Sequence, residues 1–427
     1  MSRQTFFSVS PDDIERLSDI ELTRLLRKLL YLEAASNGIP MRGVDAPLQI
    51  TVPDGGEDAS IRWNGDPAAT GWLPANDIVF QCKATYMGPA DARKEVLNSD
   101  GTRVKPRVHN ALQRGGGYIL FYHEGLNGDK KADRIDEMRK AFRSVNASYA
   151  DSASLYVYSA NEIAEWVNAF PSAPIQVLGQ RSHSRHLKTW DQWRKSPEFD
   201  NRYFPTEEIE ANFEGVRSAL SEVSNVVRVE GPSGLGKTRF ALEALRPPED
   251  PEASPEQMAL SESVVYMDTK ERDGIEREAL DAITESVSDG KRAVFVVDNC
   301  DSKLHRDLVR EVTRRDSRVS LLTLDYELNQ HLAKQRIELA PDDLNGVVRD
   351  IIEEACPGIA NEVVERAAEF SEGFPKIAVL LGQSWQTDRG RGGTLNDDDL
   401  VRRLLFGRSD PDSEVEDIAR LCSLFTD

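Results

Sequence analysis

Two groups of residues in this 427-residue chain could do chemistry. The first is Gly231-Pro-Ser233-Gly234-Leu-Gly236-Lys237-Thr238, a complete GxxxxGK[ST] run between an apolar stretch, Val226–Glu230, and a helical stretch from Lys237 to Leu245. Strand before and helix after is the context that gives this pattern meaning. Glycines let the backbone turn so that successive N–H groups face inward. Those donors and the positive helix end hold phosphates. Gly231, Ser233, Gly234 and Gly236 form the cradle, Lys237 reaches the terminal phosphates, and the Thr238 hydroxyl is placed for Mg²⁺. The run Arg292-Ala-Val-Phe-Val-Val-Asp298-Asn299-Cys300-Asp301 is the matching second element. Its apolar residues carry Asp298 to the end of a central strand, where it can hold the Mg²⁺ shell. Asp301, or else Asn299, could orient an attacking water. ATP and Mg²⁺ are the cofactors this set implies.

The second group is Asp54-Gly-Gly-Glu57-Asp58, followed after a strand and a loop by Phe80-Gln81-Cys82-Lys83. An acid opening one strand and Q-x-K on the next puts Asp58, Gln81 and Lys83 within reach of one another. Alternation puts Gln81 and Lys83 on one face and Cys82 on the other. Such a set suits metal-assisted phosphodiester hydrolysis. Asp58 supplies charge for a divalent metal, Gln81 a neutral ligand, and Lys83 orients water and offsets developing charge. Gln81 is weaker than a carboxylate, so a second acid is needed, and Glu33, late in the first helix, is the candidate. Magnesium's preference for oxygen ligands fits Glu33, Asp58 and Gln81. His109 and His123 read as ordinary polar residues.

Those residues need elements to carry them. Helical periodicity over 11–36 stops at Asn-Gly-Ile-Pro. Short strands are predicted at Pro47–Val52, Ala59–Trp63 and Ile78–Ala84, with helices at Ala90–Leu97 and Val108–Arg114. Then come a strand at 117–122, a helix at Asp129–Val145, a strand at 154–159 and a helix at Ala160–Phe170. This predicts a compact α/β unit over residues 1–180. Residues 181–208 lack periodicity and read as a linker whose Trp190 and Trp193 pin it to a neighbour. From residue 209 to 335, strands at Val226–Glu230, Val264–Asp268, Ala293–Val297 and Val319–Leu324 alternate with helices, which indicates a parallel sheet. Residues 246–262 read as an acidic, proline-rich loop. Residues 336–411 read as a helical lid.

Composition narrows the classes. The formal net charge is −20, which excludes a chain that coats nucleic acid along its whole surface. The balance is uneven: residues 1–180 hold 20 Lys/Arg against 23 Asp/Glu, and residues 101–145 hold 10 against 5. One face of the N-terminal unit can therefore approach a phosphate backbone. The longest apolar runs are too short to span a membrane, and the N-terminus has no signal-peptide pattern. Four cysteines without CxxC spacing argue against structural zinc and a disulfide framework, so a cytoplasmic location is expected.

Residues 205–427 resemble a STAND-class ATPase of the bacterial immune-receptor kind, through GPSGLGKTRFALEAL and VFVVDNCDSKLH. Gly373-Phe374-Pro375-Lys376 is similar to that family's GxP motif, and the resemblance makes Pro375 an adenosine contact. Where the family often carries Thr-Thr-Arg, this chain has Leu322-Thr323-Leu324-Asp325. The sensor arginine is not at that position, and slow turnover suits a switch that holds ATP. The final ARLCSLFTD, within 412–427, resembles the opening of the family's winged-helix domain, which implies a further C-terminal sensor region. Residues 10–170 resemble the restriction-endonuclease-like (Mrr-type) nucleases, with their helical Glu, GGxD and QxK. Together the resemblances imply an antiphage effector. An invader-derived trigger would drive self-association, as a tetramer, and switch on cleavage of double-stranded DNA. The alternative is an ATP-gated scaffold or regulator whose N-terminal domain binds DNA or protein without cutting. A motor-like ATPase is disfavoured because no second RecA-like motif set is present.

Overall fold

The computed structural model describes residues 6–47, 58–179, 186–251, 253–325, 333–355, 357–358 and 360–387. The strand expected at Pro47–Val52, the Gly-Gly-Glu before Asp58 and the winged-helix start at 412–427 fall largely or wholly outside those residues.

The N-terminal unit opens with α1 (Pro11–Glu15) and α2 (Asp19–Asn37). Ser18 caps α2, with Glu21 reaching back to the Ser18 backbone, and Gly38 ends it at φ 68°, a left-handed conformation that glycine adopts freely. There follow β1 (Val44–Asp45), β2 (Ala59–Arg62), β3 (Asp77–Lys83), α3 (Ala92–Val96), α4 (Pro106–Gln113), β4 (Gly117–Tyr122), α5 (Gly128–Ser144), β5 (Ser154–Tyr158), α6 (Ala160–Asn168) and α7 (Ser172–Leu178). The sheet runs β1-β2-β3-β4-β5. Strands β1 to β3 pair antiparallel and β3 to β5 parallel. Alternation along β3 divides the two sides. Ile78, Phe80 and Cys82 pack into the core with α2, α6 and α7, whereas Val79 packs with α3, α4 and α5.

The second unit is entered through α8 (Trp190–Arg194) and α9 (Glu207–Ser221). Then come β6 (Val226–Glu230), α10 (Lys237–Ala244), α11 (Pro255–Glu262), β7 (Val264–Asp268), α12 (Ile275–Ser288), β8 (Ala293–Asp298), α13 (Ser302–Val312), β9 (Val319–Asp325), β10 (Gln335–Glu338), α14 (Asn345–Ala355), α15 (Asn361–Ser371) and α16 (Pro375–Thr387). All five strands are parallel, in the order β10-β6-β9-β8-β7. Buried on both faces, β6, β8 and β9 are continuous apolar runs broken by a few paired polar residues.

Three expectations need correcting. Residues 246–262 are not all loop: α11 starts at Pro255, where a proline's missing N–H costs nothing, and Met258 and Ala259 complete the core beneath α2. Residues 336–411 do not begin as helix, because β10 pairs with β6; its sequence, Gln-Arg-Ile-Glu, suits a short polar edge strand and shows no apolar run. The stretch expected to be a linker is structured from residue 186. Lys188 exchanges backbone hydrogen bonds with Tyr266 at 2.9 and 2.8 Å, and Trp193 stacks on the Tyr266 ring at 4.1 Å. Hidden tryptophan area holds this segment against the β7 edge.

The two units share a polar seam. Lys28, 1% exposed on α2, donates to the Glu262 carbonyl at 2.6 Å and to its carboxylate at 2.8 Å. Ser172 donates to that same carbonyl at 2.7 Å. Phe7 meets Phe295 of β8 edge-on.

Candidate functional site

The loop between β6 and α10 is shaped by its glycines. Gly231, Gly234 and Gly236 stand at φ 148°, 92° and 84°, values that side-chain-bearing residues rarely adopt. The turn places the start of α10 at Lys237, where a helix offers free N–H groups to an anion. The Lys237 ammonium folds over the loop and donates to the carbonyls of Gly231 and Pro232 at 2.8 and 2.9 Å. Burial lowers its pKa, and the carboxylates of Asp298 and Asp325 oppose that shift. Ser233 lines the outer wall of the loop.

Strand β9 lies between β6 and β8, so the glycine loop and Asp298 leave the sheet one strand apart. Thr238 donates to Asp298 Oδ2 at 2.7 Å, and the Tyr266 hydroxyl donates to the same oxygen at 3.3 Å. Asn299 N–H donates to Asp298 Oδ1 at 2.7 Å. Burial, more than any neighbour, raises the Asp298 pKa to about 6. A hydroxyl beside a carboxylate is a hard-oxygen donor set that suits Mg²⁺, whose charge would favour the ionised acid. Thr238 and Asp298 are the residues that would hold it, with Lys237 and the loop amides on the phosphates.

Asp301, expected to orient water, is engaged at a helix start. Its carboxylate caps α13, accepting from Leu304 N–H at 2.7 Å. The Asn299 amide donates to Asp268 at 2.7 Å. Asp268 ends β7 in register with Asp298 on β8 and was not singled out from the sequence; the parallel endings VVYMD and VFVVD were the available signal. Asp325, which ends β9, accepts from Arg228 at 3.1 Å, and Arg228 also reaches Glu230 at 2.7 Å.

Pro375 is the first residue of α16, and the next N–H, of Lys376, donates to the Gly234 carbonyl at 3.2 Å. The lid helix is thus seated on the glycine loop. A cavity of about 280 Å³ lies between them, lined by Ser233, Gly234, Phe374, Lys376, Ile377 and Leu380. Gly373 stands at φ 77°, with its Cα against the Pro341 carbonyl, and no side chain fits there.

In the N-terminal unit, Asp58 N–H pairs with the Phe80 carbonyl at 3.0 Å, which sets Asp58 beside β3. Its Oδ2 accepts from Gln81 Nε2 at 2.5 Å and from Cys82 N–H at 2.7 Å. Lys83 follows two residues on, on the Gln81 face, with its ammonium 3.2 Å from Glu95 Oε1. Asp58 and Gln81 are therefore in contact, and Lys83 shares the Gln81 face of β3. Glu33 does not join them. Helix α2 packs on the opposite side of β3, and Glu33 accepts there from Thr70 at 2.5 Å and Asn37 at 3.0 Å. Burial raises its pKa. Because residues 25–34 of α2 are all buried, periodicity there could not say which way Glu33 points.

The arrangement of the second unit is a P-loop NTPase-like fold in a mixed α/β chain. Among the described residues, no helix is long and apolar enough to cross a membrane. No protein-family model matches the chain, and no curated protein does. Among solved structures, the chain is similar to the Signal Transduction ATPase with Numerous Domains (STAND) protein with a tetratricopeptide repeat sensor, PH0952, from Pyrococcus horikoshii. There the identity is 14% and the TM-score 0.33, over 55% of this chain and 36% of that one. It is also similar to C. elegans PCH-2, at 13% identity and TM-score 0.28 over 46% of this chain and 66% of that one. A third is the E. coli MS115-1 HORMA:CdnC:Trip13 complex, at 14% and 0.25 over 42% and 63%. In all three a third or more of the other chain is uncovered.

Proposed function

We propose that this chain is a STAND-type, ATP-switched defence effector whose N-terminal unit is a Mg²⁺-dependent DNA endonuclease. In this reading ATP and Mg²⁺ bind at Gly231–Thr238 and Asp298, with Pro375 at the adenosine end. The lid helix seated on Gly234 makes the loop's state felt across residues 341–387. Hydrolysis of DNA joins a water oxygen to phosphorus and breaks a P–O ester bond. A metal would polarise that phosphate when bound. Asp58 and Gln81 would hold the metal, and Lys83 would orient the water and offset charge on the phosphate. An acidic chain binds duplex DNA weakly as one copy, so self-association, here a tetramer, would raise effective concentration and make cutting depend on assembly. The observation that supports the nuclease reading is the Asp58–Gln81 contact, with Lys83 on the same face of β3 as Gln81. The test is cleavage of plasmid DNA by the purified chain with Mg²⁺ and ATP. Asp58→Ala and Lys83→Ala should each abolish it, and cutting by both variants at the unsubstituted protein's rate rejects the site.

One observation favours a second reading, a scaffold or regulator that binds without cutting: Glu33, the expected second acid, lies across the sheet from Lys83. DNA retention without metal-dependent cleavage would establish it.

A further inference from the structure

The centre around Asp58 contains two buried polar atoms with nothing to bond. Gln81 spends its amide N–H on Asp58, and its Oε1 is buried without a hydrogen-bond partner. Tyr118, on β4, is 0% exposed, and its hydroxyl is likewise buried and unmet. Parallel pairing sets Tyr118 beside Val79 and Leu120 beside Gln81, so Tyr118 rises on the same face as Gln81 and Lys83. Unmet buried donors and acceptors are rare and call for a reason.

That face also carries a second acid. Glu95, on α3, is 7% exposed and reaches the Lys83 ammonium at 3.2 Å. Its neighbour Val96 packs in the same core as Val79 and Tyr118. Burial first, and then the charges of Glu95 and Asp58, hold the Tyr118 phenol protonated, well above its ordinary pKa. Among the described residues no three His, Cys, Asp or Glu side chains gather, so a cation here needs the Gln81 amide oxygen as well.

We infer that Glu95, not Glu33, is the second acid of a divalent-cation centre formed with Asp58 and the Gln81 Oε1, and that the Tyr118 hydroxyl donates to an anionic oxygen brought to that cation. This deepens the nuclease reading and rests on it. Two carboxylates and one amide oxygen are the hard donors Mg²⁺ takes, with water completing the shell. The Lys83 ammonium holds Glu95 until a cation competes for it, and is then free to meet a phosphate.

The test is titration of the nucleotide-free full chain with Mn²⁺, followed by electron paramagnetic resonance. A Thr238→Ala background silences the other metal centre. Asp58→Ala should remove the N-terminal Mn²⁺ site, and Glu95→Gln should weaken it by about tenfold or more, as loss of a close partner does. Glu33→Gln should leave it within about twofold, on the same scale. Lys83→Gln separates a ligand from a mere ion-pair partner. It should leave Mn²⁺ affinity equal or tighter while plasmid cutting is lost. Glu95→Asp, which keeps the charge, should recover part of the affinity and shows that the effect is not misfolding. Mn²⁺ affinity unchanged in Glu95→Gln overturns the inference, as does a matching loss in Lys83→Gln. Cutting that needs Asp58 and Lys83 but not Glu95 rejects this centre and keeps the nuclease. The stated Mn²⁺ pattern without any cutting keeps the centre and rejects the nuclease.

Discussion

Replacing Asp298 by asparagine should stabilise the nucleotide-free protein near neutral pH, although it damages the Mg²⁺ site. The side chain is 6% exposed, and burial lifts its pKa from 3.8 to about 6. A carboxylate with a raised folded-state pKa is a cost. The folded state binds the proton that the unfolded state has lost, so stability falls as pH rises from the lower value to the higher and stays low above it. A shift of ~2 units at 1.36 kcal/mol each is about 3 kcal/mol above ~pH 7. At ~pH 5 only about 1.6 kcal/mol of that cost has developed. Asparagine carries none of it. The new amide must face the Thr238 and Tyr266 hydroxyls, which turn to accept, and that returns about 1 kcal/mol. The net gain is then about 2 kcal/mol at ~pH 7.5 and about 0.6 at ~pH 5; the difference of ~1.4 does not depend on the discount. A chain with two packed units need not unfold in one step, so a local reading is required. Hydrogen exchange of the β8 amides, expressed as protection factors at each pH, supplies it. An Asp298→Asn gain that is equal at both pH values, or larger at the lower one, would refute the reasoning.

Two further outcomes follow from the same packing. Arg228→Ala removes the guanidinium that joins the buried carboxylates of Glu230 and Asp325, both at most 1% exposed, and leaves Arg336 on Glu230, so the P-loop unit should lose about 3 kcal/mol, read as a fall in its thermal midpoint. Gly373→Ala forces a side chain at φ 77° against the Pro341 carbonyl; unseating α16 from Gly234 should cost about 1–3 kcal/mol and weaken nucleotide uptake in a fluorescent-analogue titration, whereas Gly346→Ala on open surface should do neither.

Parts of this molecule could be read directly. Glycine and lysine at fixed offsets, next to a β-branched run, announce a phosphate loop because only that backbone path needs those residues. Asp298 follows because an apolar run can end in a buried acid only where something engages it. Gln81 and Lys83 share a face because strand alternation permits nothing else. Other parts could not be read. Glu33 lies in a stretch of α2, residues 25–34, that is buried throughout, and α11 hides in a stretch rich in proline and acid until α2 covers it.

From the order of residues alone came the glycine loop with its Asp298, the Asp58–Gln81 pairing, the strands that carry them and the parallel character of the second sheet. Those are properties of neighbours in the chain, set by local backbone geometry and side-chain period. Tertiary packing decided which acid meets Lys83, that Asp301 caps a helix, and that Tyr266 ties the β7 edge to Asp298. Such pairings join residues on separate elements, and their choice depends on which faces are buried together.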